Sequence, residues 1–171
     1  MKRIINLIFV IHVLLFGLSS CIENEPIVFT GSVAEFDATV WNNPATGLTY
    51  PILTRVAGYG RPVSTTADPL ITRTSGDIRF RVNLVSAQFD TDQVLNVSVV
   101  TDGTTAVAGT HYTVPTTVTI PANSSFGEVT VTVLNPGASS GSRDLILQID
   151  GNDTVKPNEN FKRLGIRIAQ N

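Results

Sequence analysis

The chain reads as an all-β sandwich, and three features of the sequence predict it. Thr and Val supply 21 and 20 of the 171 residues, and both favour the pleated, half-buried surface of a strand. Apolar side chains recur at every second position in short segments, which places them on one face of a strand, and no segment sustains a 3.6-residue apolar period. The 13 Gly and 9 Pro gather with Asn and Asp between those segments, where they make turns.

The expected strands are residues 27–30, 35–41, 50–56, 77–84, 95–99, 111–114, 117–120, 129–133, 145–149 and 164–168. The clearest is 77–84, where Ile78, Phe80, Val82 and Leu84 face one way and Arg79, Arg81 and Asn83 the other. Val129, Val131 and Val133 alternate with Thr130 and Thr132, and Leu164, Ile166 and Ile168 with Gly165 and Arg167. Leu145, Leu147 and Ile149 alternate with Asp144 and Gln148. Turn signals separate these segments at Asn43-Pro44, Thr101-Asp102-Gly103, Pro121-Ala122-Asn123, Asn135-Pro136-Gly137 and Asp150-Gly151-Asn152. Strands with one apolar face each must pack sheet on sheet. The expected architecture is an immunoglobulin-like sandwich of eight to ten short strands in one domain, residues 27–171, without an internal repeat. A domain of about 150 residues buries roughly 68–70% of its unfolded surface, enough to fold without disulfide or metal. Residues 57–69 form the longest irregular stretch, with Gly58, Gly60, Pro62 and Pro69.

The first residues read as an address. Lys2 and Arg3 give a positive start, residues 4–17 are apolar apart from Asn6 and His12, and Leu18-Ser19-Ser20-Cys21 follows. This is the pattern of a secretory signal peptide over residues 1–20, and the apolar run is shorter than the roughly 20 residues of a membrane span. Leu-Ser-Ser-Cys resembles the bacterial lipobox, which makes Cys21, the one Cys of the chain, the candidate lipidation site. Two or more acyl chains anchor a protein stably. Residues 21–26 then form an acidic tether, with Glu23 and Glu25, similar to the signal that sends Bacteroidetes lipoproteins to the cell surface. The expected location is therefore the outer membrane, facing the cell exterior, with the periplasmic face as the alternative.

Composition excludes several classes. The formal charge is −2, becoming −4 without Lys2 and Arg3, which lacks the basic excess of a nucleic-acid binder. One Cys makes neither a zinc site nor a disulfide framework. The chain is too short for a barrel enzyme.

Val107-Ala108-Gly109-Thr110-His111-Tyr112, then residues 118–125 and Val129-Thr130-Val131, resemble the Calx-beta type of immunoglobulin-like module. Arg61-Pro62-Val63, Val82-Asn83-Leu84-Val85, Gly109-Thr110-His111-Tyr112 and residues 157–162 resemble an uncharacterised family of Bacteroidetes lipoproteins, a domain of unknown function. The resemblance implies fold, source group and location, and brings no activity. Calx-beta modules can bind calcium, but the Asp usual before the aromatic is His111 here, and residues 135–143 hold no acid. The remaining clusters, Asp90 with Asp92 and Asp150 with Asn152 and Asp153, suit side-chain-to-backbone turns. No metal and no cofactor is expected.

No catalytic residue is expected. His111 is the one His after the signal segment, and no Gly-x-Ser-x-Gly elbow exists. Trp41, Tyr50 and Tyr59 are candidate glycan contacts that together could line one end of the sandwich, against the expectation that Trp41 fills the core. Arg73, Arg79 and Arg81 form a local basic patch. Asp153-Thr154-Val155 resembles the Bacteroidetes acceptor motif for O-glycosylation, which makes Thr154 a candidate. The leading expectation is a lipid-anchored, non-enzymatic envelope module that contacts a protein partner. The alternative is a glycan-binding accessory lipoprotein of a polysaccharide-uptake system.

Overall fold

The structure, a computed structural model, describes residues 29–37, 44–56, 58, 59 and 61–171. Among these residues it is all-β, with ten strands and no helix. The strands are β1 (Val33–Phe36), β2 (Ile52–Leu53), β3 (Asp77–Val85), β4 (Gln93–Val99), β5 (Tyr112–Thr113), β6 (Thr117–Ile120), β7 (Phe126–Val133), β8 (Ser142–Gly151), β9 (Lys156–Pro157) and β10 (Arg163–Ala169). They form two five-stranded sheets, ordered β5-β7-β3-β1-β9 and β2-β10-β8-β4-β6. The sandwich predicted from the alternation is the fold.

The long strands follow their sequence pattern. In β3, Ile78, Phe80, Val82 and Leu84 are buried while Arg79 faces out, and β7 pairs with it antiparallel, Phe80 opposite Val129. In the second sheet, β8 and β10 pair Leu145 with Ile166 and Leu147 with Leu164, and all four are fully buried. The inward faces of both sheets meet in one apolar cluster, whose burial removes about 25 cal/mol per Å² of apolar surface from water.

Four elements differ from expectation. Phe29 and Thr30 lie outside any strand, and residues 27–28 of that expected strand fall outside the described set. The strand expected at 35–41 begins at Val33, and its residues 38–41 are not described. The stretch 50–56 shrinks to the two residues of β2, which lie parallel to β10 at Gly165 and Ile166. β9 was not legible, because two residues have no period; Lys156 and Pro157 pair parallel with Val33 and Ala34.

Ile146 breaks the simple alternation of β8. Its neighbours Leu145 and Leu147 face the core, so Ile146 points outward, yet it is buried. Residues 101–104 turn back over this face. Val100 donates its amide to the Ile146 carbonyl at 2.9 Å, the Thr104 hydroxyl accepts from the Ile146 amide at 3.0 Å, and Gly103 sits on the Ile146 side chain. The second sheet is therefore covered on the outside at this point.

Candidate functional site

The two outer faces of the sandwich carry different chemistry. On the second sheet, Asp144 and Arg167 are cross-strand partners, and the guanidinium grips the carboxylate with two 2.8 Å hydrogen bonds. Beside them Leu48, Tyr50 and Ile52 line a groove of about 550 Å³. Tyr50 is 8% exposed, with its hydroxyl near Gly103. Tyr50 is thus largely covered, and the part of it that remains open lines this groove. Tyr59 reaches a strand of the first sheet instead, bonded to Arg79 of β3. Trp41 and Cys21 fall outside the described residues.

Tyr59 is carried across by the long irregular stretch. That stretch leaves β2, returns at a bridge between Arg55 and Leu70, and is held by Asp68. The Asp68 carboxylate takes both ends of the Arg61 fork and the Ser64 amide at 2.7 Å. Asp68 is buried, and the Arg61 hydrogen bonds and the Ser64 amide lower its carboxyl to a pKa of about 2. A carboxyl depressed on folding stabilises the fold above its ordinary pKa of about 3.9 and loses that contribution as pH falls toward about 2. Protection of the Ser64 amide, its exchange rate relative to that of the unfolded chain at the same pH, is therefore expected to fall between about pH 4 and pH 2. In Asp68→Asn that protection should be low already at neutral pH and unchanged across the window. A Ser64 amide equally protected in both forms would mean that the clamp does not hold the loop.

From this loop the Tyr59 hydroxyl donates to the Arg79 carbonyl at 3.2 Å. Tyr59 is 37% exposed, and burial, then the nearby Glu128 carboxylate, push its phenol up to about 12. Next to it, Arg81 extends along the outer face. Its guanidinium carbon is 3.8 Å from the centre of the Phe126 ring and 5.8 Å from that of Tyr59, within reach of cation–π attraction. Phe126, at the start of β7, is 39% exposed. Arg79 lies 3.8 Å from Glu128 in an exposed ion pair. Glu35 sits farther along the same face, held by Asn158, and burial pushes its carboxyl upward. The expectation that Arg79 and Arg81 share the outward face of one strand is what the structure shows. Arg73 is elsewhere, bonded to Asn135 at 2.8 Å.

The remaining candidates have local roles. His111 Nδ1 accepts the Val107 amide at 3.0 Å, within the tight turn that precedes buried Tyr112. Asp92 accepts the Ala122 amide at 2.8 Å. Asn152 Oδ1 accepts the amides of Thr154 and Val155 at 2.8 and 2.7 Å, an Asx turn. Among the described residues no group of three or more His, Cys, Asp or Glu is placed to hold a metal ion. Thr154 is exposed at the tip of its turn.

This architecture is that of a Calx-beta-like, immunoglobulin-like β-sandwich. Among solved structures the apo-form Calx CBD1 domain is similar, with a TM-score of 0.54 and 10% identity over 82% of this chain and 98% of that one. CBD12 from CALX1.2 is also similar, with a TM-score of 0.48 and 14% identity over 58% of this chain and 40% of that one. At this identity the likeness is one of fold. The family profile described as a domain of unknown function, DUF4843, matches residues 71–167, more than half of the chain, and the chain belongs to that family. No match was found among curated proteins.

Proposed function

We propose that the protein is a lipid-anchored cell-envelope module of a Bacteroidetes-like bacterium, without catalysis of its own, that works by contact between its β-sandwich and an envelope protein partner. The observation that carries the anchor is Leu18-Ser19-Ser20-Cys21, after a positive start and an apolar run. Acylation at Cys21 holds the domain at the membrane, and residues 22–26 space it from the lipid surface. The acidic Glu23 and Glu25 favour the cell exterior. The contact reading is supported by where the unspent chemistry lies. His111 and the Asp92 and Asn152 clusters are bonded to backbone, whereas Arg81 is stacked on a partly exposed Phe126 on the outer face of the first sheet.

The anchor is tested by labelling cells with a radioactive or alkyne fatty acid and separating a detergent extract into detergent and aqueous phases. The unaltered chain is expected to carry label and enter the detergent phase. Cys21→Ser should carry none, because stable membrane association rests on the acyl chains. Equal labelling of both forms, or an unlabelled native chain in the aqueous phase, defeats the anchor. Protease added to intact cells then separates the exterior from the periplasmic face.

A further inference from the structure

The edge of β4 that faces away from β8 is paired along one half and open along the other. β6 covers Gln93 to Asn96, and just beyond it the Val97 amide donates to the Thr116 carbonyl at 2.8 Å. There the pairing stops, because Pro115 has no N–H to offer and the chain arrives at this point from β5, in the other sheet. On its opposite side β4 is bonded to β8. Val100 donates to the Ile146 carbonyl at 2.9 Å, while Ile149 of β8 donates away from β4, to Lys162. Antiparallel bonds alternate along a strand, and Val99 lies opposite Leu147, so the Val99 amide and carbonyl point away from β8. Neither meets a partner among the described residues. Other edges are guarded: β9 carries Pro157, and the Thr119 carbonyl of β6 lies close against Gly127 of β7. Val99 instead borders a groove of about 470 Å³ shared with Val97, Tyr112, Val114 and Pro115, and no side chain lining it is charged.

We propose that this open edge binds an extended, uncharged peptide segment of a protein partner, which joins the second sheet as a short strand beside Val99. The inference rests on the contact reading above and deepens it by giving the contact a place and the partner a form. The unmet groups select the occupant. A main-chain N–H and C=O standing free on a sheet edge are matched by the same groups of another strand. An acyl chain would fill the apolar walls and leave both groups buried without a partner, which is costly. A sugar needs an open aromatic face and converging polar side chains, but Tyr112 is 5% exposed and the lining offers only Ser and Thr hydroxyls and the largely buried Tyr112 phenol. In an added strand every second side chain turns to the same side, which places apolar residues against Val97 and Val114. The absence of charge in the lining selects against an acidic or basic segment.

The test records backbone amide NMR spectra of the full chain while adding an end-capped Val-Thr-Val-Thr-Val peptide, laurate or maltohexaose in separate titrations. In the free chain the Val99 amide is expected to be less protected from exchange than that of Val100, and equal protection means that the edge is closed. The peptide should move the Val99 signal saturably and protect that amide, and a stationary Val99 signal overturns the site. Two analogues, N-methylated at Val or at Thr, keep the side chains and block one peptide edge each. One of them should bind about tenfold more weakly, and equal binding of all three peptides overturns main-chain pairing. A response to laurate or maltohexaose exceeding that to peptide overturns the strand occupant. Ala108→Lys sets a charge at the exposed mouth of the groove. It should weaken peptide binding severalfold at an unchanged denaturant midpoint, and unaltered binding places the peptide elsewhere. Photocrosslinking in isolated envelopes from Ala108, and from Thr130 on the outer face of the first sheet, separates the two levels. An adduct at Ala108 that the capped peptide displaces supports the edge. An adduct at Thr130 alone leaves the contact reading standing and refutes this edge, and no adduct at either position refutes the contact reading.

Discussion

Phe80→Ala is expected to lower the unfolding free energy by about 3–5 kcal/mol. Phe80 is 2% exposed, lies mid-way along β3 and packs in the shared apolar cluster. The change removes the transfer energy of a ring and leaves a cavity that the neighbouring strands can only partly fill, because β3 is tied to both β7 and β1. Domains of this size are stable by about 5–15 kcal/mol, so the variant stands near the edge of folding. Its urea midpoint should fall with little change in slope. Val85→Ala, at the exposed end of the same strand, should cost no more than about 0.5 kcal/mol. Equal losses for the two variants would place the core elsewhere.

That prediction uses only what was already legible in the sequence. β3, β7 and β10 each have one clean apolar face, and period two assigns their buried residues without a partner strand. Ile146 was missed for the opposite reason. It is apolar on the outward face of β8, and only the return of residues 101–104 over that face hides it. The burial of Tyr50 was hidden in the same way, since a local pattern cannot show that a distant Gly103 comes to lie near its hydroxyl. β9 holds its place through pairing with β1 across more than a hundred residues, and two residues leave no local trace of that.

The candidate site divides along the same line. That Arg79 and Arg81 point outward follows from alternation within one strand. That Arg81 lies against Phe126 depends on the β3–β7 register, which sets Asn83 opposite Phe126 and Arg81 opposite Glu128. That Tyr59 joins them depends on a loop from the other sheet pinned by Asp68. Register and loop placement are long-range properties, fixed by the packing of whole faces. The composition of the loop, with its Gly and Pro, marks it only as irregular.

Gly127→Ala is expected to cost about 3 kcal/mol or more, at or beyond the top of the usual range for overpacking. Gly127 is an inward-facing position on β7, where β6 of the other sheet crosses. A Cβ built there would lie 2.2 Å from the Thr119 carbonyl oxygen and 2.9 Å from its carbon. Both atoms belong to backbone, so no rotamer change relieves the overlap. Either β6 shifts and loses register with β4, where Leu95 faces Val118, or β7 moves away from β3. Gly76→Ala separates this steric effect from the ordinary cost of losing glycine. Gly76 has φ +65° and nothing within 4 Å of its absent Cβ, so substitution there should cost only the left-handed strain of about 1–2 kcal/mol. Denaturant midpoints of the two variants decide the matter. A clearly larger loss at Gly127 means that the approach of β6 to β7 closes this edge of the sandwich, and a loss no larger than that at Gly76 would show that the two strands have room to part.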